Sequence, residues 1–364
     1  MTQAQNRTFN VLAPTGMTRR SLMQLLAASA AASTAGTLPV FAAGEELNLF
    51  TWTTWGGDDF IAFSGENGFD IRPSFYATSD EMVAKLRGGG DQLYDMVVPI
   101  QSFVPLMAEL DLIKPMDKSR FTNLNSLFPE FVGTPEWEFD EKFYGAPFVW
   151  GANAIAYNRE ETGEIDSLDA LWDPQFTGRI GMRDEPEDSL AIGALKLGIE
   201  NPYQMDEAEL QEVKKLMIAQ KPLVRAYWKS IADVQTMLAS GEIVISWAFL
   251  AVVKPLRDLG IDVGWVWPKE GAIGWNEGIA LVAGSRNEDA VTEYANLTLS
   301  ADYGKMMGQV SRYATSSKTA VEQMDPTLVS DLGIDPAKMS ALVFKQALPN
   351  RARWMEIWNE IKAA

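Results

Sequence analysis

The sequence predicts an α/β protein of two lobes, with parallel-rich sheets flanked by helices, and three observations lead there. Short apolar runs alternate with helix-length amphipathic segments along nearly the whole chain, the rhythm of strand, helix and parallel strand. Hydrophobic residues make up 47 % and charged residues 22 % of the 364, the balance of a folded globular chain and not of a disordered or fibrous one. Roughly 320 residues remain once an N-terminal leader is set aside, enough for two domains of ordinary size.

Taken in order, residues 47–52 are expected as the first strand, and Gly56-Gly57 separates it from a helix with Phe60, Ile61 and Phe63 on one face. Residues 70–76 follow as the second strand. Ser79 offers an N-cap to a helix carrying Met82, Val83 and Leu86, and Gly88-Gly89-Gly90 stops it. The chain therefore opens β-α-β-α. Residues 94–98 read as a short buried strand ended by Pro99, and 104–110 as the next helix. The stretch from about 111 to 150 is richer in Asp, Glu, Pro and aromatic residues and less regular, as a lobe boundary or crossover would be. Beyond it, 153–157, 179–182, 242–247 and 263–267 are expected as strands, interleaved with helices near 188–197, 206–219, 230–239 and 287–300. The tail from 336 to 362 has a helical pattern with Trp354 and Trp358 at i, i+4, and Pro349 should break or kink it. No repeat of fixed period is visible.

Residues 1–42 contain Arg7, Arg19 and Arg20 and no acid, followed by a weakly apolar stretch of Ala, Leu and Ser. The run Thr18-Arg19-Arg20-Ser21-Leu22-Met23-Gln24 has the adjacent arginines of a twin-arginine export signal. Val40-Phe41-Ala42-Ala43 supplies small residues for cleavage after Ala42 or one residue later, and Met17 offers an alternative start. A membrane anchor is the competing reading, but spanning takes about 20 strongly apolar residues and this stretch is short and rich in Ala, Ser, Thr and Gly. The exported chain is expected in the periplasm. Without cysteine it must rely on core burial for stability.

Acids outnumber bases by 49 to 31, so the summed field of a chain with formal charge −18 repels phosphate backbones and nucleic acid is excluded as a partner. Cys and His are both absent, which removes thiol chemistry, histidine-based triads and zinc sites of the usual kind. The triglycine at 88–90 lacks the Lys-Ser/Thr of a phosphate loop, and neither a Gly-x-Gly-x-x-Gly nor a Gly-x-Ser-x-Gly run is present. No cofactor is implied.

Of the 12 tryptophans, Trp52, Trp55, Trp247 and Trp275 sit at strand ends beside turn residues. There an indole face can meet a cation, although each could equally fill a core. Trp150, Trp172, Trp354 and Trp358 are assigned to packing. The run Asp184-Glu185-Pro186-Glu187-Asp188 joins an expected strand to an expected helix. Carboxylates at a helix start usually cap free amides and offset the dipole, yet four acids in five residues exceed what capping needs. In Gly274-Trp275-Asn276-Glu277-Gly278 the two glycines allow a tight turn that holds an acid near an aromatic ring, a pairing suited to an ammonium group or merely to solvent. Two carboxylates could also serve a secreted glycosidase, a reading that no further motif supports.

Five segments in order resemble the spermidine/putrescine-binding proteins of bacterial ABC transporters: Phe50-Thr51-Trp52-Thr53-Thr54-Trp55, Tyr94-Asp95-Met96-Val97-Val98-Pro99, Trp150-Gly151-Ala152, Leu171-Trp172 through Gly178, and Val266-Trp267-Pro268-Lys269-Glu270-Gly271 with Trp275. The resemblance runs from about 46 to 363. It implies a two-lobed type II periplasmic binding fold, a mixed sheet flanked by helices in each lobe and a hinge crossed twice. Lobe 1 would comprise 43–151 and 276–320, lobe 2 residues 152–275 and 321–364. By position, Trp52 and Trp55 would line the first wall, with Trp55 where the family commonly has tyrosine. Ser102 and Phe103 fall where relatives supply tyrosine. Glu185 and Asp188 match the acids that grip a terminal ammonium, with Asp and Glu exchanged. Trp275 and Glu277 match the ring and acid at the middle amine, Glu again replacing Asp. Trp247 or Phe249 would occupy a further wall position, and Gln346 or Phe344 the place of a glutamine near the C-terminal helix.

The expectation is a monomeric, non-enzymatic receptor that takes a polyamine or another organic amine and delivers it to an ABC permease in the inner membrane. Amine affinity is expected to fall as the carboxylates titrate near about pH 4–5.

Overall fold

The β-α-β-α opening folds as a parallel ribbon. β1 (Glu46–Thr51) pairs in parallel with β2 (Asp70–Phe75) and β3 (Met96–Val97), and the helices Asp58–Glu66 and Ser79–Arg87 make the crossovers. The computed structural model describes residues 46–339 and 341–364, so the expected export signal over 1–42 lies outside the described residues. The second crossover helix is capped one residue earlier than expected: Thr78 Oγ1 accepts the Glu81 N–H at 3.1 Å, and Ser79 is the first helical residue. β4 (Ile113–Lys114) and β13 (Ala280–Val282) complete a five-stranded sheet in the order β2-β1-β3-β13-β4, with β13 antiparallel to both neighbours. After β4 the irregular region forms short 3₁₀ turns at Lys118–Arg120, Thr122–Ser126 and Pro129–Phe131 and a small hairpin, β5 (Glu138–Phe139) with β6 (Lys142–Phe143).

The second sheet is built around β7 (Pro147–Asn158), which runs antiparallel to β10 (Ile245–Phe249), β11 (Val263–Val266), β12 (Ala272–Gly278) and β14 (Ala314–Thr315). With β8 (Ile180–Arg183), β9 (Val224–Trp228) and β15 (Leu342–Phe344), its order is β15-β12-β7-β10-β8-β9. The chain enters this sheet at β7, leaves it through Ile279 between β12 and β13, and returns with β14. A mixed sheet with helices therefore forms twice from interleaved segments.

Several elements differ from the sequence reading. The glycine-flanked run at 274–278 is no turn but the fully buried strand β12. The tail is two helices, Pro336–Met339 and Arg351–Ala363, with β15 between them, and Pro349 lies just before the second helix. The helix expected near 287–300 forms as Glu288–Thr298, and a further helix not read from the sequence follows it, Ala301–Ser311, capped by Ser300. The strand β9 and the helix Leu250–Asp258 were not evident from pattern, the latter because it carries Pro255. The side chain of Gln235 donates at 3.3 Å to the Ala251 carbonyl, the acceptor that Pro255 cannot reach.

Trp354 and Trp358 pack as expected, against Leu190, Val213 and Ile245 in the core of the second lobe. A separate core holds Phe50, Tyr76, Met82, Val97 and Val104 in the first. Each fully buried aliphatic side chain stabilises the fold by roughly 1.5–3 kcal/mol.

Candidate functional site

β12 presents Trp275, Asn276 and Glu277 against β7, in register with Gly151, Trp150 and Val149. The glycines here serve close approach. A Cβ at Gly151 would lie 2.3 Å from the Trp275 ring, one at Gly274 2.8 Å from the Phe344 ring, and one at Gly278 2.4 Å from the Ala146 carbonyl oxygen. Glu277 is consequently pressed into the protein, 8 % exposed.

After β1 the chain turns through Thr53–Gly56, which brings Trp55 from the end of the first sheet to this strand of the second. The Trp55 indole N–H donates to Glu277 Oε2 at 2.6 Å. The indole is fixed edge-on by Phe148 and Tyr313, with ring centroids 5.5 and 5.4 Å away, and Tyr313 meets Trp275 at 5.6 Å. The strand is pinned beside the acid: Asn276 donates its backbone N–H to Gln101 Oε1 and accepts from the Trp137 indole, both at 2.8 Å. Glu277 makes no ion pair with any described residue. Burial pushes its carboxyl up to about 8, with the Trp55 N–H pulling the other way. Burial, and then the charge of Glu277, raises the Tyr313 hydroxyl to about 12 and lifts Tyr76 in the same direction.

The acid run at 184–188 meets a different environment. Glu185 is the N-cap of the helix Pro186–Leu197, its carboxylate accepting the N–H groups of Glu187 at 3.2 Å and Asp188 at 2.8 Å. Asp184 accepts from the Trp358 indole and from Lys362, each at 2.8 Å, and so clamps the C-terminal helix. Asp188 is completely buried. It meets Lys345 Nζ at 2.7 Å, Arg183 Nη1 at 2.8 Å and the Asn153 amide at 2.6 Å. Glu187 faces Arg351 Nε at 3.3 Å and the Ser102 hydroxyl at 3.4 Å, while Arg351 also forks onto Asp80 at 2.8 and 3.1 Å. Burial would raise the Asp188 carboxyl, but Lys345 and then Arg183 outweigh it and hold the group below its ordinary value. Lys345 is itself buried, 3 % exposed, yet the charges of Asp188, Glu185 and Glu187 overcome that burial and keep it cationic. For Glu187 burial dominates, followed by the charge of Glu185, and its carboxyl rises to about 7 against the pull of Lys345 and Arg351.

Of the residues singled out by sequence, Trp55, Trp275 and Glu277 come together, and Ser102 reaches the Glu187 end of the acid run. Trp52 packs edge-on to Tyr76 at 4.4 Å. Trp247 is fully buried in the second-lobe core, whereas Phe249, two positions on, lies 4.6 Å beneath the Arg183 guanidinium and lines a cavity with Trp275 and Tyr313. Gln346 accepts from Asn201 at 3.3 Å, and its neighbour Lys345 is the residue that reaches the acids. Sequence reasoning missed Lys345, Arg183, Arg351, Asn153 and Tyr313. The nearest signal for Lys345 was its place between Phe344 and Gln346, the two positions the resemblance left open; β15 ends at Phe344, so strand alternation does not reach it.

The chain belongs to the bacterial extracellular solute-binding protein family, which matches residues 60–334. It is similar to the spermidine/putrescine-binding periplasmic protein of Salmonella typhimurium, 29 % identical over 80 % of this chain and 83 % of the relative. It is also similar to a putrescine-binding periplasmic protein of Escherichia coli, 23 % identical over 96 % of this chain and 99 % of the other. The spermidine/putrescine ABC transporter substrate-binding protein PotD of Streptococcus pneumoniae shares the two-lobed fold with a TM-score of 0.76 at 18 % identity, covering 88 % of this chain and 98 % of that one. Among the described residues no helix is long and apolar enough to cross a membrane.

Proposed function

We propose that this chain is the periplasmic capture component of an ABC importer, and that it closes two lobes over an organic amine, the chemical class to which the relatives' polyamines belong. One observation carries the reading: Glu277 is buried beneath Trp55, Trp275 and Tyr313 with an indole N–H as its hydrogen-bond partner and no cation among the described residues. A carboxylate so placed is destabilised by burial until a counter-charge arrives. An ammonium supplies it, gaining a charge-assisted hydrogen bond of roughly 1.5–3 kcal/mol and roughly 0.5–2 kcal/mol over each aromatic face. Trp55 follows β1 of the first sheet and Glu277 lies on β12 of the second, so a ligand that contacts both favours the closed arrangement, and the closed arrangement is what a permease would recognise. The expected export by the twin-arginine route and the monomeric state belong to the same proposal.

Calorimetric titration of the purified protein with amines, neutral sugars and non-amine acids tests this. Saturable heat confined to amine-bearing solutes supports the receptor, and saturable binding of a neutral sugar in their place overturns it.

A further inference from the structure

The acids of this site are not equivalent. Around the helix start at Pro186, three carboxylates face three cations that the chain itself supplies: Asp188 holds Lys345 at 2.7 Å and Arg183 at 2.8 Å, Glu185 lies 3.4 Å from Lys345 while capping its helix, and Glu187 meets Arg351 at 3.3 Å. Lys345 and Asp188 are buried together, so this is an internal ion pair and not a surface contact that a solute could displace. Among the described acids of this site, Glu277 alone faces aromatic rings without a counter-charge. On the other flank of those rings stand bases. Arg183 lies over Phe249, and the exposed Arg312, which has no ion pair among the described residues, borders the cavity shared by Phe249, Trp275 and Tyr313.

We infer that the site seats one ammonium and not two, and that the far end of its ligand is a carboxylate directed at the Arg183 flank: an aminocarboxylate, where a diamine would bring a second cation to a place already filled by Lys345. This rests on the amine-receptor reading and narrows its ligand. A diamine's second ammonium would find every carboxylate of the acid run already matched, whereas a carboxylate of the same reach can accept from the Arg183 guanidinium, which has donors beyond the one given to Asp188.

Putrescine and 4-aminobutyrate separate the two cases, because they have similar length and differ in replacing one ammonium by a carboxylate. Titrated into the purified protein beside n-butylamine, 4-aminobutyrate is expected to bind at least tenfold more tightly than putrescine. Arg183→Gln is expected to lower the affinity for 4-aminobutyrate at least tenfold relative to that for n-butylamine, removing the preference. Lys345→Gln, where it folds, is expected to raise putrescine affinity about tenfold. Putrescine binding as tightly as 4-aminobutyrate or more tightly would overturn the inference and leave the amine receptor standing. Binding of none of the three would overturn both, and a preference untouched by Arg183→Gln would overturn the assignment of the carboxylate.

Discussion

Two buried acids in one protein meet burial in opposite ways. Asp188, at the start of the helix Pro186–Leu197, is surrounded by Lys345, Arg183 and Asn153 and stays ionised. Glu277, on β12, has the Trp55 indole and a ring of aromatic side chains, and its carboxyl is pushed up to about 8. The first is a finished structural element. The second is an unfinished one, and the difference teaches where a ligand can act: a buried carboxylate attracts a cation from solution only where the chain has not already provided one.

The largest effect should come from unfinishing the first acid. Lys345→Met leaves Asp188 with Arg183 alone and is expected to destabilise the protein by about 3–5 kcal/mol, the usual consequence of removing one partner of a buried ion pair. Urea denaturation measures it. Adding Asp188→Asn to Lys345→Met should restore part of that loss, because the fully buried charge is then gone and only the part-exposed Arg183 is left without its partner. A loss under about 1 kcal/mol for the single change would mean that Asp188 is no better neutralised than a surface acid, and the comparison would break.

The second acid responds to the opposite change. Glu277→Gln keeps an acceptor for Trp55 but removes the charge, so it is expected to weaken amine binding roughly 10–100-fold, the worth of one charge-assisted contact. In the empty protein the same change relieves a penalty. The folded chain holds the Glu277 proton up to about pH 8, while the unfolded chain releases it in the ordinary carboxylate range. Stability from this group is therefore complete at low pH and is lost as pH rises toward 8, and Glu277→Gln should lack that decline. Ligand binding follows the reverse course. An ammonium prefers the ionised acid, so affinity should rise about tenfold between pH 7 and pH 8–9 with proton release on binding, a shift of one unit being about 1.4 kcal/mol. Calorimetry in buffers of different ionisation heat reads the proton directly. Burial thus moves the pH window well above the 4–5 that unperturbed carboxylates would give.

Much of this contrast was legible in the sequence, and what was not has identifiable causes. The β-α-β-α opening could be read because its apolar periodicity, its cap region at 78–79 and its triglycine all agree. β12 was mistaken for a turn because Gly274 and Gly278 look like turn residues, when they are small to admit Phe344 and the Ala146–Trp137 wall. Long-range packing decided that, and no local pattern announces it. The acid run was rightly placed at a strand-to-helix junction, but its neutralisation by Lys345 and Arg351 spans more than 150 residues of sequence and depends on the tail's folding as a strand and then a helix. The aromatic ring around Glu277 was half visible: Trp55 and Trp275 stood out as tryptophans at strand ends, whereas Tyr313 carried no mark until the helix Ala301–Ser311 delivered it.

Glu187 stands between the two extremes and offers the finest test of the contrast. It is buried like both, has Arg351 and Ser102 as partners, and its carboxyl rises to about 7 because burial and the charge of Glu185 exceed the pull of Lys345 and Arg351. Because the folded chain keeps this proton where the unfolded chain has released it, the group's stabilisation is complete below the ordinary carboxylate range and is lost as pH rises to about 7. Glu187→Gln preserves shape and carries no titrating proton. Arg351 keeps its fork onto Asp80 at 2.8 and 3.1 Å, so the lost contact should matter by about 1 kcal/mol or less. Thermal unfolding at pH 5 and pH 8 should show the variant losing less stability than the parent between the two. An equal loss in both would place Glu187 with Asp188, fully matched by its own cations.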